Sequence, residues 1–340
     1  MHEKPGKRLL FVNEASASIG MGHILRSLTL ARVMFSRGYS VSGIAIGDGK
    51  AVSYATERAR REQIDYPILT MNDPETAVAY LSTDQPSLVV VDCAKAAYEI
   101  VRACARLGIP VLALDYFVSN LPLPDAVVNL IDHSPATLLG QQPFREGMIY
   151  REGPQYAIIR DEFLEARNRR ASRTERTSVE KILIAFGGAD PSGNTRRALE
   201  MIAEWPGAFM VDVIIGPLFK LDAASEGETL PGKCLVRMHV SPRHIGQLFE
   251  DTDLVFCGGG GTLLEALCVG IPSIVIAQNP EELRHAASLA EQGACWLSNE
   301  VRWELVSHAK NRQACAISAK ACVDGQGAAR ICDVIEQQLQ

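Results

Sequence analysis

The chain has 340 residues, of which 47% are hydrophobic and 22% are charged, and its mean hydropathy is close to zero. This composition excludes intrinsic disorder and collagen-like repeats, and the length favours two domains. The 34 basic and 40 acidic residues give a net charge of −6, which disfavours nucleic acid as the main partner.

The amino terminus imitates a secretion signal, because a basic start is followed by an apolar run at residues 9–12 and by small residues. That run is too short for a signal core, and no apolar run in the chain approaches the length of a membrane span. The nine cysteines include no Cys-x-x-Cys pair and mostly lie in apolar segments. We therefore expect a cytoplasmic protein whose reduced cysteines act as small core residues.

In chain order, short apolar runs alternate with helical patterns in the first half. Strands are predicted at residues 9–12, 41–46, 88–91, 110–114 and 127–130, and helices at 23–37, 74–81 and 98–107. A polar, arginine-rich stretch at 162–180 then interrupts the pattern. It is a linker or a solvated helix, and its helix-forming composition favours the helix.

The alternation restarts after this stretch. Strands are predicted at 181–186, 211–215, 235–240, 254–257 and 273–277, helices at 194–203, 243–250, 262–269 and 281–291, and tail helices at 301–322 and 326–339. Continuous apolar strands separated by helices indicate parallel sheets covered on both faces.

These elements predict an α/β protein of two doubly wound, Rossmann-like domains that face a cleft. The predicted domains are residues 1–150 and 181–340, with 151–180 as the linking region. Ligands of such sheets bind outside the carboxyl ends of the strands, which makes the cleft the expected site.

The first glycine cluster lies in residues 19–26, IGMGHILR, between a predicted strand and a predicted helix. Gly20 and Gly22 allow close backbone approach, and the start of the helix can hold an anion. His23 in the first helical turn is a candidate general base, with a capping or core histidine as the alternative. No third glycine follows at the dinucleotide spacing, which disfavours an NAD site.

The second cluster, at residues 186–194, places Gly187 and Gly188 directly after a predicted strand. As a plain strand-to-helix turn, it would have Ser192 or Asn194 as the helix cap. In the functional interpretation, the two glycines face the cleft.

The third cluster is the glycine run, residues 258–261, which lies between a buried strand and a helix. Four consecutive glycines cost backbone entropy, so a ligand-binding role is favoured over a tight turn. Backbone amides at this helix start can hold a diphosphate, Thr262 can add a hydroxyl donor, and Glu265 can accept hydrogen bonds from a ribose diol. No Gly-Lys-Ser/Thr follows, which excludes a Walker loop.

At these positions the chain resembles the nucleotide-sugar hydrolases of pseudaminic acid biosynthesis, the PseG/SpsG group, which is related to MurG-type glycosyltransferases of the GT-B fold. The matching segments are 19–26 (IGMGHILR), 90–92 (VVD), 153–160 (GPQYAIIR) with Glu162 and Phe163, 186–191 (FGGADP), 258–265 (GGGGTLLE), 270–272 (GIP) and 324–330 (DGQGAAR).

The resemblance implies a GT-B-like enzyme that hydrolyses a UDP-linked amino sugar at its anomeric C–O bond, in nonulosonic acid or surface polysaccharide biosynthesis. His23 would activate the water, the second half would hold the UDP, and neither a cofactor nor a metal is expected. The implied substrate-binding residues are Gly20, Gly22, Arg26, Asp115, Tyr156, Arg160, Gly187, Gly188, Gly259, Gly260, Gly261, Thr262, Glu265, Glu281 and Glu282.

Three positions depart from that group. Asp115-Tyr116 stands where an Asp-Asp is common, and Gly261 begins a segment where Ser-Thr-x-Trp-Glu is common. Glu281 and Glu282 stand for an Asn-Gln pair. Carboxylates cannot donate hydrogen bonds to a diphosphate and repel it at close range, which predicts a different sugar or nucleotide preference.

Two other functions fit the same residues. In a glycosyltransferase, an acceptor hydroxyl replaces water and His23 deprotonates that acceptor. The first half carries no obvious basic amphipathic surface for a lipid-linked acceptor, which favours a soluble substrate. The third function is a non-catalytic protein that binds a sugar nucleotide.

Overall fold

The structure, a computed structural model, describes residues 6–15, 22–47, 49–116, 123–130, 146–173, 176–217, 219 and 234–340. The chain divides into two compact units, which are defined here by their residues. Unit 1 comprises 1–158 together with 326–340, and unit 2 comprises 159–325.

Unit 1 is built on a parallel sheet. Its described strands are β1 (Arg8–Ala15), β2 (Ser40–Gly47), β3 (Ile68–Met71), β4 (Leu88–Asp92), β5 (Val111–Leu114), β6 (Ala126–Asn129) and β7 (Ile149–Glu152). They are ordered β3-β2-β1-β4-β5-β6-β7, and every neighbouring pair is parallel. The helices that alternate with the first strands are α1 (Gly22–Ser36), α2 (Gly49–Arg61), α3 (Pro74–Thr83) and α4 (Ala97–Leu107).

Unit 2 repeats this architecture. Its helices are α5 (Asp161–Arg170), α6 (Asn194–Ala203), α7 (Ile245–Glu250), α8 (Gly261–Val269), α9 (Pro280–Glu291), α10 (Trp303–Ser307) and α11 (Ala309–Cys322). Its described strands are β8 (Lys181–Ala185), β9 (Met210–Ile215), β10 (Leu235–Val240), β11 (Leu254–Cys257), β12 (Ser273–Val275) and β13 (Trp296–Leu297). They form a second parallel sheet in the order β10-β9-β8-β11-β12-β13.

Alternate residues of each central strand enter different core layers. In β1, Leu9 and Phe11 pack in one apolar cluster of unit 1, whereas Leu10 and Val12 pack in another. Both faces of the strand are therefore buried, which is why it reads as an unbroken apolar run and not as an alternating one. The parallel sheets predicted from these runs are confirmed.

Three short strands, β3, β7 and β13, and the helix α2 were absent from the predicted elements. The buried side chains described for α2, Val52, Ala55 and Ala59, are small, so the sequence shows no stripe of large apolar residues there. The strand β3 has four residues and lies at the edge of its sheet. The predicted helix 301–322 is two helices that meet at His308.

The stretch predicted at 162–180 is a helix only as far as Arg170, and it is not fully solvated. Phe163 and Ala166 are completely buried in unit 2. Arg170, the last residue of the helix, and Arg173, just after it, donate hydrogen bonds to the carbonyl oxygen of Thr252 at 2.6 and 2.9 Å. These contacts fix the segment that leads into β8.

The last helix, α12 (Gly327–Gln338), belongs to unit 1, although the sequence analysis placed it with the second half. Its buried residues Ile331 and Ile335 join the same apolar cluster as Leu28 of α1. Arg37, which follows α1, forms ion pairs with Asp333 and Glu336, both at 2.8 Å. The helical period of α12 was readable, but a period does not specify which sheet the apolar face covers.

None of the helices in the described ranges combines the length and the apolar composition that a bilayer crossing requires. The cysteines are free thiols, and all except Cys234 and Cys322 are buried. Burial raises the pKa of Cys104 and of Cys295 to about 12, so these thiols stay protonated at neutral pH. Their burial supports the interpretation of most cysteines as small core residues.

We predict that Ile331→Ala lowers the free energy of unfolding of unit 1 by about 2–4 kcal/mol, because the lost methyl and methylene groups leave a cavity. The matched control is Ile317→Ala on α11, where the isoleucine is 60% exposed and the expected change is within about 0.5 kcal/mol. Urea denaturation followed by circular dichroism measures both. Equal losses in the two variants would contradict the packing described for α12.

Candidate functional site

In unit 1 the candidate site lies at the carboxyl ends of β1, β4 and β5, beneath the first turns of α1. Asp92, the last residue of β4, is fully buried, and its Oδ1 lies 2.6 Å from Nδ1 of His23. A carboxylate only accepts hydrogen bonds, so this contact requires the proton on Nδ1. Nη2 of Arg26, which only donates, lies 3.1 Å from the same nitrogen, and this longer contact is not a hydrogen bond when Nδ1 is protonated. Nε2 of the neutral imidazole is then left unprotonated and able to accept a proton.

Arg26 holds this carboxylate from a second direction. Its Nε donates to Oδ2 of Asp92 at 3.0 Å and its Nη2 to Oδ1 at 2.6 Å. Its Nη1 donates to Oδ2 of Asp115 at 2.6 Å. The guanidinium predicted to bind substrate therefore has two carboxylate partners and acts first as a positioning group for Asp92.

The pKa of Asp92 reflects these partners. Burial acts to raise it, but the charges of Arg26 and His23 and their hydrogen bonds outweigh burial, so the pKa lies below its ordinary value. Burial likewise acts to lower the pKa of Arg26, and Asp92 and Asp115 raise it above its ordinary value. A lowered Asp92 pKa contributes stability above about pH 4, and this contribution is lost as the pH falls through the folded-state pKa.

Asp115 lies directly after β5 in a left-handed conformation, with φ of 47°. Its Oδ1 accepts the backbone N–H of Leu130 at 2.8 Å, and its Oδ2 binds Arg26. Asp115 therefore connects the ends of β5 and β6 to the His23 site. Gly22 is the first residue of α1 and is exposed. Gly20, the other predicted glycine of this cluster, lies outside the described residues.

In unit 2 the glycine run divides into two halves with different surroundings. A Cβ on Gly259 would overlap the backbone carbonyl of Glu282, and one on Gly258 would lie 2.9 Å from Oε2 of Glu282. These two glycines let the first turn of α9 approach β11 closely, which is a structural reason the sequence did not reveal. Gly260 precedes α8, and Gly261 begins it in open space.

Glu282 itself binds the glycine run. Its Oε2 accepts the backbone N–H of Gly259 and that of Gln278, both at 2.9 Å. Its own N–H donates to the side chain of Asn279 at 2.9 Å, which caps α9. Glu281 is exposed in the same turn. One of the two predicted carboxylates is thus in contact with the glycine run, and it already uses one of the run's amides.

The amides at the start of α8 are differently placed. The N–H groups of Leu263 and Leu264 bond to the carbonyl of Gly260, and no side chain caps the helix. Within the described residues, the N–H groups of Gly261 and Thr262 form no hydrogen bond. These two amides, at the positive end of the helix dipole, are the part of this cluster able to hold an anion.

Glu265 and Arg160, which were predicted separately as substrate-binding residues, are partners. The Nε and Nη2 of Arg160 donate to the two carboxylate oxygens of Glu265 at 2.6 and 2.9 Å. The guanidinium also stacks over Phe163, 4.6 Å from the ring centre. Each carboxylate oxygen retains a second lone pair, so Glu265 keeps acceptor capacity for a ribose hydroxyl.

The second glycine cluster offers less to a ligand than its sequence indicates. Gly187 turns the chain with φ of 75° and is exposed, and Gly188 follows it in the turn. The cap expected from Ser192 or Asn194 is supplied instead by Asp190, which accepts the N–H groups of Asn194 and Thr195 at 2.8 Å each. A carboxylate from this chain therefore occupies the start of α6.

Two further residues, Tyr156 and His285, have packing contacts with other parts of their own unit. Tyr156, a predicted substrate-binding residue, ends a short 3₁₀ turn and packs against the apolar cluster of unit 1. His285 on α9 is buried, and its Nδ1 lies 2.7 Å from the carbonyl oxygen of Gly259. Because a carbonyl only accepts, Nδ1 is the protonated nitrogen, and His285 helps to hold the glycine run against α9.

In the described part of the chain, no group of three or more His, Cys, Asp or Glu side chains is arranged to hold a metal ion. Residues 251–253 form an Asp-x-Asp segment. Its carboxylates pair with arginines, Asp253 with Arg173 and both aspartates with Arg176. The segment lies before β11, at the strand end opposite the glycine run, where it anchors the entry to unit 2.

No family model matches the chain. An uncharacterized protein of Methanocaldococcus jannaschii is 26% identical over 280 residues, which are 80% of this chain and 56% of that protein. The spore coat polysaccharide biosynthesis protein SpsG of Bacillus subtilis is 27% identical over 148 residues, 42% of each chain. The chain thus spans about half the length of the curated relatives it matches.

Solved structures match over nearly the whole chain. MurG of Acinetobacter baumannii has a TM-score of 0.69 at 14% identity and covers 98% of this chain and 100% of its own. S. aureus MnaA, solved with UDP, has a TM-score of 0.61 at 11% identity, with 98% and 97% covered. The chain has a two-domain α/β fold of the GT-B type. At these identities the likeness shows the fold alone.

The contact between Asp92 and His23 was not predicted from the sequence. The signal was present, since a buried strand ends in an acidic residue at the edge where α1 begins. Glu14 near the end of β1 is similar, because it is buried and accepts the N–H of Lys95 at 2.6 Å. In both cases, an acidic residue at or near the carboxyl end of a buried strand accepts a hydrogen bond from another segment of unit 1.

We predict that Gly259→Ala lowers the free energy of unfolding of unit 2 by about 1–3 kcal/mol, because the added Cβ pushes α9 away from β11. Gly261→Ala is the matched control. It adds the same methyl group to the same run in open space and is expected to change stability by less than about 1 kcal/mol. Thermal and urea denaturation measure both, and an equal loss would contradict the division of the run.

Proposed function

We propose that the protein hydrolyses a UDP-linked amino sugar at the anomeric C–O bond and releases UDP and the free sugar. The observation that carries this proposal is the contact between Nδ1 of His23 and the buried carboxylate of Asp92 at 2.6 Å. It fixes one tautomer and one ring orientation, as a general base requires. The residue resemblance to nucleotide-sugar hydrolases and the relative named for spore coat polysaccharide biosynthesis support a role in nonulosonic acid or surface polysaccharide biosynthesis.

In the proposed reaction, Nε2 of His23 takes a proton from water as the water oxygen bonds to the anomeric carbon. The bond between that carbon and the β-phosphate oxygen breaks, and its electron pair stays with the UDP. Asp92 stabilises the imidazolium that forms, because its carboxylate already accepts the Nδ1–H. Arg26 keeps the carboxylate in place through its paired hydrogen bonds.

Unit 2 supplies the proposed nucleotide site. The N–H groups of Gly261 and Thr262, with the Thr262 hydroxyl, bind the diphosphate and stabilise the charge that develops on the leaving group. Glu265, held by Arg160, accepts from the ribose hydroxyls. Gly187 and Gly188 follow β8, which pairs with β11, and are assigned to the edge of this site, and Gly22 keeps the space beside His23 open.

A glycosyltransferase is the second candidate, because MurG and the spinosyn rhamnosyltransferase SpnG are among the proteins that share this fold. A base oriented in the same way deprotonates an acceptor hydroxyl as readily as water. The same donor site then serves both reactions, and the nucleophile alone distinguishes them.

The deciding experiment incubates the protein with UDP-, CMP- and GDP-sugars and follows the release of free nucleotide with and without acceptor alcohols. We expect UDP release in water alone, with free sugar formed in equal amount. Release that requires an acceptor would establish the transferase instead. Binding of a UDP-sugar without release would point to a non-catalytic binding protein, and release from CMP- or GDP-sugars alone would overturn the choice of uridine.

We also predict that His23→Ala lowers kcat by at least about a hundredfold and leaves KM within about threefold, because a general base acts in the transition state. Asp92→Asn is expected to lower kcat comparably, since it removes the charge that orients and stabilises the imidazole. Exposed His244, at the start of α7, supplies the control variant His244→Ala with unchanged kcat. An unaltered rate in His23→Ala would remove this residue from the mechanism.

A further inference from the structure

Glu282 places a negative charge at the glycine run. Its Oε2 is held by the N–H groups of Gly259 and Gln278, and its Oε1 lies 3.3 Å from the position a Cβ on Gly260 would take. The carboxylate therefore lies beside the start of α8, next to the two amides that the proposed function assigns to the diphosphate. It stays there because Asn279 caps the same turn and fixes the backbone of Glu282.

In the described part of the chain, this charge has no cationic partner. Within the described residues, no lysine or arginine forms an ion pair with Glu282, and its partners are backbone N–H groups and the Gln278 side chain. An ionised carboxylate only accepts hydrogen bonds, and N–H partners leave its negative charge without an opposite charge beside it. A phosphate at the start of α8 therefore meets attraction from the helix amides and repulsion from Glu282.

The repulsion depends on the charge of the ligand, and hydrolysis changes that charge. A UDP-sugar is a diphosphate diester with about two negative charges, whereas UDP has a terminal phosphate that ionises a second time near pH 6 and brings the total to about three. The added charge arises on the phosphate nearest the broken bond. Glu282 is therefore expected to oppose the product more strongly than the substrate.

We propose that Glu282 is a specificity-determining residue that weakens the binding of the nucleoside diphosphate product relative to the nucleotide-sugar and so promotes product release. The inference rests on the proposed function, because it requires the diphosphate to bind at the start of α8. For charges about 6 Å apart near a protein surface, one extra ligand charge corresponds to a change of roughly three- to a hundredfold in affinity.

The test replaces Glu282 with Gln, which keeps the shape and one acceptor oxygen and removes the charge. Dissociation constants are measured at pH 8 and low salt for uridine, UMP, UDP and UDP-N-acetylglucosamine as the diester probe. We expect the variant to bind UDP about tenfold or more tighter, UMP and the diester with a smaller gain, and uridine unchanged. Glu291→Gln, at the far end of α9 and exposed, is the matched control, with all four constants unchanged.

A second variant separates the charge from the hydrogen bonds. Glu282→Asp keeps the charge on a shorter side chain, so its ratio of UDP to uridine affinity is expected to stay near that of the wild type. A tightening for UDP in Glu282→Asp equal to that in Glu282→Gln would assign the effect to the lost hydrogen bonds and overturn the proposal. An equal shift for uridine and UDP in Glu282→Gln would do the same.

The wild-type protein gives an independent check. Its inhibition constant for UDP should exceed the KM of the UDP-sugar it hydrolyses, and a UDP inhibition constant well below that KM contradicts the proposal even if the variants do not fold.

The proposed function and the role of Glu282 are contradicted by different results. Absence of binding by uridine and UDP to the wild type and every variant overturns the nucleotide site and this inference with it. If these ligands bind but the change in affinity in Glu282→Gln does not depend on ligand charge, only the role of Glu282 is overturned.

Discussion

The fully buried carboxylate of Asp92 is the interaction on which the site of unit 1 depends. A buried charge is tolerated only when it is paired and hydrogen-bonded. Here Arg26 donates hydrogen bonds to both carboxylate oxygens of Asp92, and His23 donates a further one to Oδ1. Removing Arg26 would leave the buried carboxylate of Asp92 without its arginine partner, which typically costs about 3 to 5 kcal/mol, roughly a third of a domain's stability. The imidazole is therefore held by the same contacts that hold the fold at the end of β4, so the orientation of the His23 ring and local stability are coupled.

Unit 2 uses carboxylates for a different purpose, which is to occupy backbone amides. Asp190 accepts from the start of α6, and Glu282 accepts from Gly259 in the glycine run. The glycine content alone would predict an anion-binding site at both positions. These amides already have an acceptor from the chain, so the start of α8 is the position that the proposed function assigns to a phosphate.

Much of the fold could be predicted from the sequence, because a buried parallel strand must be apolar along its length and its helix must carry an apolar stripe. The pairings within the sites could not. Arg160 and Glu265 were each identified, but they lie 105 positions apart, and nothing local indicates that one binds the other. The same holds for α12, whose helical pattern was clear and whose place in unit 1 depends on long-range packing. Local pattern sets the elements, and tertiary packing decides which charges meet.

The glycines divide into those that the fold requires and those that it does not require. Gly259 is needed because α9 lies against it, and Gly187 because its φ is positive. Neither reason applies to Gly22 or Gly261, since an added Cβ at either meets nothing within 4 Å and the backbone is not left-handed. Both begin a helix after a buried strand, as does Gly49 after β2. Neither packing nor backbone conformation requires glycine at Gly22 or Gly261, and the open space beside them is what the proposed ligand site needs at the starts of α1 and α8.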